Sequence, residues 1–107
     1  MTVTNVTIPT IKAFCNLEPK AQALKPLEKA AEGFGAWQNI DRMSAKFVNV
    51  DEEIAETMCA LERCLMDEIA DCIQACANLA AMVGVSDMTP YMERCEQRNR
   101  ERGRYGD

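Results

Sequence analysis

The chain has 107 residues, no histidine and a formal charge of −5; 48% of its residues are hydrophobic and 27% are charged. This composition is typical of one small globular domain and excludes a disordered tail. Without histidine, the chain cannot use histidine as a general acid or base, as the activator of a nucleophile or as a zinc ligand. The acidic balance disfavours a protein that coats duplex nucleic acid.

Residues 1–18 contain β-branched residues and Pro9, and they predict an irregular N-terminal arm. Frequent alanine and methionine with few aromatic residues favour packed helices after it, in a helical core over residues 26–105. Pro26 fits the first turn of the first helix, and Gly33 and Gly35 indicate a local weakness or a close approach of another helix. Apolar residues recur at helical spacing on its expected packed face: Leu27, Ala30, Ala31, Phe34 and Trp37.

The second helix is the clearest element of the sequence. Asp51 predicts its N-cap, and Gly84 predicts its end. A helix over that span is about 45–50 Å long, too long for a chain of this size to cover. We therefore expect a bend or a partner chain, and predict a helical bundle completed by a homodimer or tetramer. A third helix is predicted to start at Thr89 with Pro90 in its first turn and to end near Gly103.

The six cysteines do not predict a disulfide framework, because most pairs within one helix cannot meet. The first residues also lack a basic start followed by an apolar stretch, as a secretory signal would have. We expect reduced thiols that serve as small core residues of a cytoplasmic protein. The most apolar run, residues 69–85, is too short and too polar to cross a bilayer, so no membrane partner is expected.

Winding the second helix at about 100° per residue places Glu68 in the middle of its apolar face, with Asp71 and Asn78 at one edge. A buried carboxylate needs a compensating charge or metal, and that face of the helix carries no lysine or arginine. Glu28 and Glu32 lie four residues apart on the first helix and could complete a site of four carboxylates. Oxygen ligands of this kind suit Mg²⁺, or Mn²⁺ in its place. The alternative is that Glu28 and Glu32 are ordinary surface residues.

A second acidic string follows Asp51, but its glutamates fall on the polar side of the helix and are interpreted as solvated: Glu52, Glu53 and Glu56. Three polar residues could contact a substrate, namely Asn78, Asn99 and Arg102. Trp37 could stack on a base. Three of the four have an ordinary alternative: a hydrogen bond between helices for Asn78, a solvated basic tail for Arg102 and a core position for Trp37.

The segments around Glu28–Glu32 and Glu68–Asp71 read EKAAEGFGAWQ and DEIADCIQACANLAAMVGV, and the C-terminal part contains ERCEQRNRERGRY. Together they resemble the EExxE and ExxD signature of the MazG-like all-α nucleoside triphosphate pyrophosphohydrolases, especially small phage or prophage members. The resemblance covers residues 27–105. It implies a helical dimer or tetramer that binds Mg²⁺ through Glu28, Glu32, Glu68 and Asp71 and cleaves a nucleoside triphosphate to a monophosphate and pyrophosphate.

The sequence departs from this signature at Lys29, which occupies the second glutamate position of EExxE. An alternative function is therefore a catalytically silent helical interaction protein of the same fold. In the enzymatic hypothesis, a metal-activated water attacks the α-phosphorus and one of the four carboxylates acts as its base.

Overall fold

The computed structural model describes residues 4–46 and 51–106, and within them it contains three helices and no strand. The helices are α1 (Pro19–Lys46), α2 (Glu52–Met82) and α3 (Thr89–Glu101). The prediction of an all-α fold is confirmed. None of the helices in the described ranges is both long and apolar enough to cross a membrane.

α1 begins seven residues before the predicted start at Pro26. The Glu18 carboxylate accepts a hydrogen bond from the Ala21 N–H at 3.0 Å, and the Glu18 carbonyl accepts one from the Gln22 N–H at 3.0 Å. Glu18 thus satisfies donors of the first turn, as an N-cap does, and Pro19 follows it directly. Pro26 lies inside the helix, where it lacks the N–H that would bond one turn back.

The ends of α2 and the start of α3 follow the predicted local signals. The Asp51 carboxylate accepts a hydrogen bond from the Ile54 N–H at 2.8 Å. Gly84 follows the helix with a φ of +91°, a conformation that glycine adopts without strain. Pro90 stands in the first turn of α3, and the Asp87 carboxylate accepts a hydrogen bond from the Thr89 N–H at 2.9 Å.

The face that α1 turns toward α2 differs from the predicted one. The less exposed positions of α1 recur at helical spacing and include Gln22, Lys29, Gly33 and Ala36. Gly33 lies opposite Glu68 of α2, and a Cβ at position 33 would be 4.0 Å from the Glu68 Cβ. Small residues let the two backbones approach closely, which explains why this face packs. The predicted packed face is exposed: Leu27, Ala30, Ala31, Phe34 and Trp37.

Residues 4–18 contain no regular element and are attached to α2 by hydrogen bonds. The Asn78 side-chain oxygen accepts bonds from the Phe14 N–H and the Gln74 amide, both at 2.9 Å. The Gln74 amide also donates to the Lys12 carbonyl at 3.0 Å, and the Cys15 thiol donates to the Asn78 carbonyl at 3.4 Å. Asn78 is buried, so it anchors this segment from inside the fold.

The described part of the chain buries few residues. Only one hydrophobic residue there, Ala75, is fully buried. All six cysteines are free, but four are exposed, so the prediction that they fill the core is wrong for the single chain. The radius of gyration is 17.4 Å, against about 13 Å for a compact domain of 100 residues.

We predict that Asn78→Ala releases the N-terminal segment. The change leaves the Phe14 N–H and the Gln74 amide without their shared acceptor, which should lower the free energy of unfolding by about 1–3 kcal/mol. Urea unfolding measures that loss, and trypsin cleavage after Lys12 should become faster. The exposed Asn39 provides a matched control, and Asn39→Ala should shift stability by no more than about 0.5 kcal/mol. Unchanged trypsin resistance in Asn78→Ala would contradict the anchoring role.

Candidate functional site

Glu68 occupies the α1–α2 contact, as its position on the apolar face of α2 predicts. The residue is half-buried, and its Oε2 atom is inaccessible to solvent and has no hydrogen-bond partner. A carboxylate oxygen in that state is energetically costly and is available to a ligand or a proton.

Lys29 supplies a positive charge to this contact from α1. Its ammonium donates a hydrogen bond to the Glu32 carboxylate at 3.3 Å. The ammonium also interacts electrostatically with Asp71 and Glu68 across the helix contact, and the pKa of Lys29 is raised, with the hydrogen bond to Glu32 as the largest cause. From the sequence, Lys29 is a departure from the EExxE signature, but its charge was not predicted to face Glu68, because only the charges of α2 were considered on that face. The helical spacing of Lys29 from Gly33 and Ala36, small residues on one side of α1, was the signal that could have placed it on the packed face.

The two neighbouring glutamates have pKa values shifted in opposite directions. Loss of hydration raises the pKa of Glu68, and a hydrogen bond between the Glu68 and Glu32 carboxyls and the charges of Glu32 and Asp71 raise it further. The hydrogen bond from Lys29 lowers the pKa of Glu32, and the hydrogen bond with Glu68 lowers it further. Glu68 is therefore the member of the pair that retains a proton to the higher pH.

The structure brings together three of the four predicted carboxylates, two as neighbours and the third at longer range. Glu32 and Glu68 are neighbours, and Asp71, one turn after Glu68, is exposed and acts on the pair electrostatically. Glu28 is exposed and accepts a hydrogen bond from Lys25 at 2.9 Å. The predicted solvated string is indeed exposed: Glu52, Glu53 and Glu56.

The donor chemistry fits a hard divalent cation, since oxygen ligands and an unpartnered buried Oε2 are present. The positions of the side chains do not form a finished site. Across residues 4–46 and 51–106, no three acidic or cysteine side chains are grouped closely enough to hold a metal ion. Glu28 and Glu32 are each paired with a lysine, so a cation could gather these carboxylates only after the lysines moved away.

The four predicted substrate-contact residues are dispersed. The Asn78 side chain is occupied by Phe14 of the N-terminal segment and by Gln74 of its own helix, not by the predicted hydrogen bond between helices. Trp37 is 47% exposed and stacks on Phe34 with ring centroids 5.8 Å apart, so it is not a core residue in the single chain. Arg102 ends α3. The Asn99 amide donates to the Cys95 sulfur at 3.7 Å and accepts from Arg104 at 3.0 Å.

Asn99 borders an open cleft of about 1270 Å³ between the N-terminal segment, the end of α2 and α3. Ala77 of α2 also lines this cleft. Ala77 is nine residues after Glu68, and that spacing places the two side chains on opposite sides of α2. Within one chain, Asn99 and the Glu68 carboxylate therefore face different surfaces.

The sequence matches no family model, and no curated protein and no solved structure matches it. The resemblance to MazG-like pyrophosphohydrolases therefore stays a prediction that rests on the quoted segments.

The raised pKa of Glu68 predicts how stability depends on pH. The folded chain holds the Glu68 proton more tightly than the unfolded chain, so this contribution favours folding at acidic pH. It is lost as the pH rises from the ordinary range of glutamate through the raised pKa. The lowered pKa of Glu32 acts in the opposite sense, and its contribution is lost as the pH falls.

Glu68→Gln should therefore be more stable than the wild type at neutral pH, with a difference that shrinks toward about pH 4. Urea unfolding in the presence of a chelator at a series of pH values measures this difference. The exposed Glu62 of α2 provides the control, and Glu62→Gln should show little pH-dependent difference. A Glu68→Gln advantage that grew toward acidic pH would show that the pKa shift has the opposite sign.

Proposed function

We propose that the chain is a metal-dependent nucleotide pyrophosphohydrolase that cleaves a nucleoside triphosphate to a monophosphate and pyrophosphate. One observation carries this proposal: the unpartnered, solvent-inaccessible Glu68 Oε2 lies at a helix contact beside Glu32 and Asp71. Most buried polar side-chain atoms of folded proteins have a hydrogen-bond partner, and Glu68 Oε2 is one of two in the described residues that lack one, with Gln22 Oε1. The quoted resemblance supplies the reaction class.

Glu32, Glu68 and Asp71 would hold Mg²⁺ or Mn²⁺, and Glu28 would join them after releasing Lys25. A divalent cation at these residues supplies neutralisation of phosphate charge and a water ligand of lowered pKa.

Glu68 is the best proton acceptor of the carboxylates in this site. Its Oε2 has a free lone pair that could accept the proton of the attacking water. Glu32, with its lowered pKa, stays ionised and serves as a ligand. Contacts to the sugar, base or phosphates are proposed for Trp37, Asn78, Asn99 and Arg102, of which Asn78 would first have to release the N-terminal segment.

A second copy of this chain is the proposed partner, in a homodimer or tetramer. The chain exposes 8460 Å², whereas a compact monomer of 12.0 kDa exposes roughly 6000 Å². The excess of about 2500 Å² matches what one subunit buries in a large obligate dimer, about 1000–2500 Å². The outer side of α1 offers a suitable apolar surface, with Leu27 at 69% and Phe34 at 58% exposure. A second copy seated there would also lie close to Glu28 and Glu32, which share this helix.

The proposed activity predicts pyrophosphate release from at least one member of a panel of canonical and damaged nucleotides with Mg²⁺ or Mn²⁺. Glu68→Ala should lower that rate by about 100-fold or more, while circular dichroism shows the helices intact. Glu53→Ala, in the solvated string, is the control and should leave the rate unchanged. Loss of activity in Glu53→Ala would move the site to the start of α2. No release from any nucleotide would favour the silent interaction protein, for which the lysine pairs of Glu28 and Glu32 are the structural argument.

The proposed dimer predicts a sedimentation mass near twice that of the chain at micromolar concentration. Leu27→Lys should shift the protein toward monomer, because it places a charge on the apolar side of α1. Val83, 67% exposed at the end of α2, is the matched control, and Val83→Lys should not change the mass. A wild-type chain that sediments as a compact monomer would overturn the proposed assembly.

A further inference from the structure

We propose that the Lys29 ammonium is the resident counter-ion of the Glu32, Glu68 and Asp71 carboxylates, and that a divalent cation competes with it for them. The first half of this proposal concerns the metal-free chain and rests on the Lys29–Glu32 ion pair and on the position of Lys29 in register with Gly33, which lies opposite Glu68. The second half rests on the proposed function.

The placement of Lys29 sets it apart from a surface lysine. It lies on the face of α1 that packs toward α2, in helical register with Gln22, Gly33 and Ala36. Its side chain is 29% exposed and its ammonium is 3.3 Å from the Glu32 carboxylate. The same ammonium acts on Asp71 and Glu68 of the other helix. One positive charge therefore serves three carboxylates from two helices, that of Glu32 in direct contact and those of Glu68 and Asp71 at longer range.

The Lys25–Glu28 pair is a useful comparison because it has the same spacing along the same helix. Its ammonium and carboxylate are closer, at 2.9 Å, but the lysine is more exposed, at 38%. Taken alone, an exposed pair on one helix contributes little to stability, and this holds for both pairs. Lys29 differs because its charge also compensates carboxylates that belong to α2, so removing it should affect how the two helices are held together.

The same placement opposes metal binding. An ammonium beside the carboxylates repels a dication and occupies the space that the ion would need, and the lysine must leave when the ion enters. Removal of this charge should therefore strengthen metal binding, which is the reverse of what is expected for a lysine that merely supports a ligand.

The first test measures coupling between Lys29 and Glu68 across the helix contact in the full chain with a chelator present. Lys29→Gln should lower the melting temperature by several degrees, because three carboxylates then repel one another without a counter-ion. In a Glu68→Gln background the same substitution should cost much less. Additive effects of the two changes would show that Lys29 forms only a surface pair with Glu32 and would overturn the resident counter-ion.

The second test measures Mn²⁺ binding by titration calorimetry or electron paramagnetic resonance, without any nucleotide. Lys29→Gln should bind Mn²⁺ about tenfold more tightly than the wild type, since a nearby positive charge has been removed. Lys20→Gln removes the same charge from an exposed position at the start of α1 and should change the affinity little. Equal or weaker binding by Lys29→Gln would overturn the competition.

The two measurements separate failure of this inference from failure of the proposed function. If neither protein binds Mn²⁺ while Lys29 and Glu68 remain coupled, the metal-dependent function and the competition fall together, and the counter-ion role is supported. If Mn²⁺ binds to both proteins with the same affinity and the coupling is absent, the inference is overturned and the metal site stands.

Discussion

Placing the Glu68 carboxylate against a second helix removes part of its hydration, which costs free energy unless a charge or a hydrogen bond compensates it. The contacts of Glu68 compensate only part of this cost. Lys29 faces the carboxylates from α1, yet Glu68 Oε2 has no hydrogen-bond partner. The small residues that let α1 approach also bring the carboxylates of two helices together, so the packing of the helices and the chemistry of the contact cannot be separated.

The same close approach determines where the large apolar residues of α1 lie. The side toward α2 contains Gly33 and Ala36, whereas Leu27 and Phe34 fall on the opposite side and are exposed. A single chain then buries little apolar surface, and that burial has to offset the loss of conformational entropy on folding. Stability and assembly are therefore expected to be linked in this protein.

Much of the local structure could be predicted because its causes are local. The Asp51 cap, the positive φ of Gly84 and the first-turn position of Pro90 each depend on neighbouring residues alone. The start of α1 was missed because a glutamate, a less usual cap than aspartate or serine, satisfies the first turn at Glu18. The packed face of α1 was missed because apolar periodicity reveals a buried face without showing which neighbour covers it.

In the candidate site, too, the features that depend on one helix could be predicted and those that depend on two could not. The position of Glu68 on an apolar face is a property of one helix, and winding α2 was enough to find it. The role of Lys29 depends on two helices at once, and the pattern of α2 alone contains no trace of it. Asn78 is the third case: it is buried, and its partners in residues 12–15 come from an irregular segment that has no periodicity from which to predict them.

Lys29 also connects the two functions that the sequence leaves open. A positive charge at this position stabilises the metal-free chain and weakens the attraction of the carboxylates for a cation, so one substitution acts on both properties in opposite directions. In an enzyme, this lysine would make the metal-free chain more stable and would raise the metal concentration needed for activity. In a silent interaction protein, it would only make the chain more stable. The cation affinity of the wild-type chain, more than its fold, therefore distinguishes the two functions, because the helices that carry the carboxylates are the same in both.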